Sequence, residues 1–163
     1  MSVNRHNPHV LVLPEDEANR RLANGFHKEI DGLHSRRFQV LPEAGGWLKV
    51  MDHFTANELA DLKRFPQRRL VLMIDFDRQE DRLASIKTRI PGALLDRVFV
   101  LGALGEPEDL KTAGPGSLET IGQNLARDCR DETEAVWNHE LLRHNTEELA
   151  RMRTNIRPIL FPV

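Results

Sequence analysis

Leu70-Val71-Leu72-Met73-Ile74-Asp75-Phe76-Asp77 is the stretch that decides the fold. Five apolar residues in a row, rich in branched side chains, end abruptly in an acidic pair. A continuous apolar run of this length, without polar alternation, is the pattern of a β-strand buried on both faces. Three further runs read the same way. His9-Val10-Leu11-Val12-Leu13 is stopped by Pro14, Phe38-Gln39-Val40-Leu41 is stopped by Pro42, and Val98-Phe99-Val100-Leu101 runs into a loop from Gly102 to Gly105.

Between these strands the period changes from continuous to helical. Ala18, Leu22, Phe26 and Ile30 recur every four residues, and the spacing predicts a helix from Glu15 to about His34, with Glu15, Asp16 and Glu17 in its first turn. Leu48, Met51 and Phe54 predict a second helical stretch and residues 57–64 another. Leu83, Ile86 and Ile90 predict a short one before Pro91. After a Pro/Gly-rich break at 112–116 the chain reads as helical nearly to its end. Its apolar stripes are Leu118, Ile121 and Leu125, then Val136, Leu141 and Leu142, then Leu149, Met152 and Ile156. Strands alternating with helices predict an α/β fold: a mostly parallel four-stranded sheet with helices on both faces, followed by C-terminal helices. The expected organisation is a single domain, 1–163, with an α/β core over 9–110 and a helical extension over 117–157.

Composition narrows the class. With 163 residues, 40% hydrophobic and 29% charged, the chain is neither disordered nor fibrous. There are 23 Lys and Arg against 25 Asp and Glu, so no global positive field draws it to nucleic acid or acidic lipid. A lone Cys129 excludes an internal disulfide and a cysteine zinc site. No apolar run approaches the roughly 20 residues that span a bilayer, and no signal-peptide core follows the first Met. The expectation is a cytoplasmic protein with no membrane contact.

In parallel α/β sheets ligands bind outside the carboxyl ends of the strands. Those ends carry Glu15, Asp16 and Glu17 after the first strand, and Glu43, Gly45, Gly46 and Lys49 after the second. Asp75, Asp77 and Arg78 follow the third, and Glu106, Glu108 and Asp109 the fourth. Asp75 and Asp77 are the sharpest feature. Two residues apart on an extended segment, they are expected to project together, and two carboxylates at close range call for a cation or a shared proton. With Glu15 from a neighbouring strand they suit a hard divalent ion, Mg²⁺ or Mn²⁺, with Glu106 and Glu108 as further oxygen donors. Acidic residues at these places also serve as helix caps. Gly45 and Gly46 offer backbone N–H groups to a phosphate, with Lys49 and Arg78 as counter-charges, or simply a tight turn.

Other motifs are silent. No Gly-x-x-x-x-Gly-Lys-Ser/Thr, Gly-x-Gly-x-x-Gly or Gly-x-Ser-x-Gly occurs. His139 and His144 are poorly spaced for a metal and read as surface or interface residues. Arg36-Arg37 and Arg68-Arg69 precede strands and read as solvated strand-entry charges. Cys129 reads as a buried, inactive thiol.

A glutamate after the first strand, a glycine turn after the second and Asp-x-Asp after the third resemble the Toprim fold of topoisomerases, primases and OLD-type nucleases. Residues 10–16, 40–50 and 70–77 are similar to its motifs, although Asp16 stands where the family usually has glycine. The resemblance spans about residues 9–110. It implies Glu15 as general acid/base or metal ligand, Asp75 and Asp77 as Mg²⁺ ligands, and phosphodiester cleavage or transfer. It also implies a partner, since stand-alone Toprim-like chains of this size often resemble partners of separate ATPases. The implied substrate is DNA, RNA or a nucleotide; no basic stripe accompanies the site, so either a partner supplies the binding surface or the substrate is small. Two other readings follow from the same residues. One is a haloacid-dehalogenase-like phosphatase with Asp75 as nucleophile and Asp77 as acid. The other is a non-catalytic Toprim-like scaffold that binds a protein or a second copy through Trp137, Leu141 and Leu142.

Overall fold

The computed structural model describes residues 2–79, 81–113 and 116–162, with backbone alone at 112 and 113. Four strands, β1 (His9–Pro14), β2 (Phe38–Val40), β3 (Arg68–Met73) and β4 (Val98–Leu101), form one all-parallel sheet in the order β2-β1-β3-β4. Val12 lies opposite both Val40 and Val71, and Leu72 opposite Val100. The α/β expectation is therefore met, and the continuous apolar runs have their cause. Val10, Val12, Val71 and Phe99 point into one helical layer, while Leu11, Leu13, Leu70, Leu72 and Val100 point into the other.

The first layer contains α1 (Glu17–Lys28), α5 (Leu118–Asp131), α6 (Thr146–Asn155) and α7 (Arg157–Leu160). The second contains α2 (Trp47–His53) and α3 (Leu59–Arg64), joined by a π-helical turn at Phe54–Glu58, and α4 (Arg82–Lys87). Helix α1 is shorter than its apolar period suggests. Asp16 caps it by accepting from Asn19 N–H at 3.0 Å, so Glu15 stays outside the helix. The two helical stretches expected over 47–64 are one helix with a π turn inside it.

The C-terminal third is built into the core rather than appended to it. Helices α1 and α5 touch backbone to backbone: a Cβ on Gly25 would lie 2.0 Å from the carbonyl oxygen of Glu119, and one on Gly122 2.1 Å from that of Leu22. Helix α6 closes the outer edge of β4, where Glu148 accepts from Val100 N–H at 2.8 Å. Just before α6, Asn145 exchanges hydrogen bonds with both backbone groups of Gly102.

Four sequence expectations need correction. Residues 132–142 are not helical, because α5 ends at a left-handed Glu132 and the buried carboxylate of Asp128 gathers Thr133 Oγ1, Val136 N–H and Trp137 N–H into a loop. Trp137, Leu141 and Leu142 are consequently buried inside the chain's own core, so the interface expected of them is spent internally. Arg68 is not solvated: it is 3% exposed and reaches Glu58 and Asp61, both at 3.4 Å, and His9 Nε2 at 3.1 Å. His144 is half-buried, its ring edge-on to Phe76 at 4.7 Å. Cys129 is buried as expected, and burial pushes its thiol up to about 11. The break at 112–116 lies partly outside the described residues. Among the described residues no helix is long and apolar enough to cross a membrane.

Candidate active site at the carboxyl edge

The strand order creates a crevice. The chain leaves β1 into α1 on one face of the sheet and leaves β3 toward α4 on the other. Between β1 and β3 the two connections therefore diverge, which is the topological switch point where open α/β sheets hold their ligands. Glu15 and Asp16 lie on one lip, and Asp75 and Asp77 on the other.

Sheet pairing continues into this crevice through a side chain. Glu15 N–H still donates to Met73 O at 2.8 Å. One step further the β1 backbone has turned away, and Asp75 N–H donates instead to Glu15 Oε2 at 2.6 Å. The carboxylate stands in for a strand carbonyl, satisfying an N–H that burial would otherwise leave orphaned.

The carboxyl group of Asp75 turns toward α1. The residue is buried, and its Oδ1 accepts from Asn19 Nδ2 at 3.0 Å. The same amide nitrogen donates to Asp16 Oδ1 at 2.9 Å. Asn19 is fully buried, and its own Oδ1 has no hydrogen-bond partner among the described residues. Burial, with Asp16 and Glu15 close by, pushes the Asp75 carboxyl up to about 8, against the pull of Asn19. Glu15 is also raised, first by burial and then by Asp16 and Asp77, while the Asp75 amide and Arg82 oppose the rise.

Asp77 goes elsewhere. Its carboxylate is largely exposed and pairs with Arg82 Nη1 at 2.7 Å, and the same nitrogen donates to Asp75 O at 3.0 Å. Asp75 and Asp77 thus do not project together as an extended pair. The strand ends at Met73, and Asp77 and Arg78 adopt left-handed φ of 48° and 58°, so the two-residue alternation fails there. Arg82 is buried beneath this turn and stacks on Trp47, at the start of α2, at 4.8 Å.

The glycine turn has a structural task. Gly45 N–H and Gly46 N–H both donate to Glu15 O, at 2.8 and 3.2 Å, so these amides hold β1 rather than face a phosphate. Their positive φ, 95° and 145°, is what allows the turn. Lys49 and Arg78 are exposed, and among the described residues neither forms an ion pair. Glu43 pairs with Arg20 at 3.0 Å. Glu106 and Glu108 are exposed near the 3₁₀ helix Pro107–Ala113, and Glu108 acts on Arg21 of α1 instead of joining the crevice.

The site as built therefore comprises Glu15, Asp16, Asn19 and Asp75, with Asp77 held to one side by Arg82 and Trp47. Asp16 read as a helix cap in the sequence, and Asn19 and Arg82 carried no signal there beyond their places in two helices. Among the described residues no three His, Cys, Asp or Glu side chains stand ready to enclose a metal ion. The donor set is nonetheless chemically suited to one. Its free atoms are hard oxygens, the orphaned Asn19 Oδ1 among them, which is the donor type that Mg²⁺ and Mn²⁺ take. No protein-family model, curated protein or solved structure matches this chain.

Proposed function

We propose that this chain is a Toprim-like, divalent-cation-dependent enzyme that cleaves phosphodiester bonds, working with a separate partner protein. The observation that carries this reading is the buried carboxyl of Asp75 beside Asp16 and Glu15 at the switch point. Two neighbouring strand ends there bring together carboxylates that repel unless a proton or a cation lies between them. Asp16, Asp75 and Asp77 would hold Mg²⁺ or Mn²⁺. The cation, when bound, would supply charge neutralisation at a phosphoryl oxygen and a water acidic enough to attack phosphorus. Glu15, half-buried and with its carboxyl raised by burial, is suited to accept and return a proton. Lys49, on α2, and Arg78, in the turn after β3, are exposed and would serve as cations for substrate phosphates.

Substrate grip is the part this chain supplies least. Arg20, Arg21 and Arg82 are already paired with Glu43, Glu119 and Asp77. Nucleic-acid affinity rests largely on cationic contacts to phosphate, so a partner, an ATPase or another protein, would provide most of the binding surface.

A second reading, the non-catalytic scaffold, is favoured by two facts: Glu15 already caps Asp75 N–H, and Asp77 is already ion-paired. One experiment separates the two. Mn²⁺ and Mg²⁺ binding is measured by calorimetry for the wild type and the Asp75→Asn/Asp77→Asn variant, followed by cleavage of single-stranded DNA, double-stranded DNA and RNA. Saturable binding abolished by the double substitution, with cation-dependent cleavage lost in Glu15→Gln, supports the enzyme. Absence of cation binding even with oligonucleotide present overturns it in favour of the scaffold.

A further inference from the structure

Arg82 occupies an unusual position for a guanidinium. It is 8% exposed, yet it lies at the carboxyl edge of the sheet among carboxylates. A single nitrogen, Nη1, bonds both the Asp75 carbonyl and the Asp77 carboxylate. Its carbon lies 4.8 Å from the centre of the Trp47 ring, and Arg89 approaches the same ring at 5.3 Å. Trp47 begins α2 and Arg82 begins α4, so this stack ties the loop after β2 to the loop after β3 across the mouth of the crevice.

The carboxylates divide accordingly. Glu15, Asp16 and Asp75 meet with Asn19, whereas Asp77 is drawn off by Arg82, and the described residues hold no ready metal cage. We propose that Arg82 is a built-in counter-cation of this site, occupying Asp77 until a divalent cation displaces it. This rests on the reading of the crevice as a cation site. Asp77 lies on an exposed, left-handed turn, so its carboxylate can change partner without disturbing the core. Once released, Arg82 remains stacked on Trp47 at the crevice mouth, a positioning residue whose guanidinium then faces the phosphate of the substrate rather than the protein's own carboxylate. Anionic substrate and divalent cation would therefore bind cooperatively, each removing one half of the Arg82–Asp77 pair.

The test is Mn²⁺ affinity by calorimetry on the full chain, with circular dichroism as a check on folding. Arg82→Gln is expected to bind Mn²⁺ about fivefold more tightly than wild type, the worth of a partly exposed ion pair. Arg82→Lys, which keeps the charge, is expected to stay near wild type. Trp47→Leu leaves every charge in place, keeps an apolar side chain against the core and removes the ring on which Arg82 stacks. It is expected to tighten Mn²⁺ binding in the same direction, which covers the case of Arg82→Gln failing to fold. Unchanged or weaker binding in folded Arg82→Gln or Trp47→Leu, with clear binding by wild type, overturns this inference and leaves the cation site standing. No binding by the wild type or either variant overturns both.

Discussion

The carboxylate of Glu15 replaces a strand carbonyl for Asp75: the Asp75 N–H reaches Glu15 Oε2 at 2.6 Å, one step beyond the last backbone bond between their strands. A residue read from the sequence as a helix-start acid or a catalytic group thus terminates the sheet. Glu15→Ala leaves a buried N–H unsatisfied and is expected to destabilise the fold by about 1–3 kcal/mol. Glu15→Gln keeps an acceptor and is expected to lose about 1 kcal/mol or less. Urea unfolding of the two variants checks this, and equal losses would show that the hydrogen bond carries little.

Asp75 makes stability depend on pH in an uncommon direction. Its carboxyl is raised to about 8 in the folded chain, mainly by burial, against an ordinary value of 3.8. Between those values the folded state holds a proton that the unfolded state has lost, so stability falls as pH rises. The contribution is complete below about pH 4 and gone above about pH 8, with a slope of up to about 1.4 kcal/mol per pH unit. Glu15, raised in the same way, adds to the trend. Asp75→Asn is expected to flatten the curve over this window, as read from thermal or urea midpoints at successive pH values. Mn²⁺, competing with the proton, is expected to bind more tightly as pH rises.

Helices α1 and α5 depend on two glycines. In an isolated helix Gly→Ala gains about 1 kcal/mol. Here Gly25→Ala and Gly122→Ala would each drive a methyl group into the backbone of the facing helix. Both are expected to destabilise by about 1–3 kcal/mol or more, of the order found for overpacked cores, and to expose Trp137 and the apolar side chains around it. Intrinsic fluorescence and unfolding midpoints would detect this. A neutral or stabilised variant would mean the helices can separate freely.

At the opposite edge of the sheet, Glu58 partners the buried Arg68. Glu58→Ala strands that charge with Asp61, on the rim at 3.4 Å, as its remaining carboxylate. The expected loss is about 3 kcal/mol, the lower end for a broken buried pair. Replacing Glu58 and Arg68 together by Gln and Met is expected to be milder than Glu58→Ala alone. Double-mutant unfolding measures the difference.

Much of this architecture was legible because it depends on local pattern. A strand buried on both faces needs an uninterrupted apolar run, as in β1, β3 and β4; β2, whose run contains Gln39, also became a strand but is only partly buried. Carboxylates after strands land at the carboxyl edge once the sheet is parallel, so Glu15, Asp75 and Asp77 were placed correctly along the chain. Their directions were not legible. Asp75 turns to Asn19 and Asp77 to Arg82 because the strand ends and the backbone becomes left-handed, and no two-residue periodicity survives that change. Arg68 looked like a solvent charge because nothing in its neighbours announces that Glu58, ten residues earlier, is carried inward in a π turn. Trp137, Leu141 and Leu142 looked like a stripe for a partner, yet Asp128 folds their segment into a loop.

By itself the sequence determined the parallel α/β class, the four strands and the acidic character of the edge where they end, since these follow from periodicity, composition and the handedness of crossovers. Only the tertiary structure decided which carboxylates face one another, that the glycine turn holds β1 instead of facing outward, and that Arg82 stands against Asp77. Those relationships join residues up to 60 positions apart. They depend on burial and on which backbone groups are left without partners, and neither quantity exists until the chain has closed on itself.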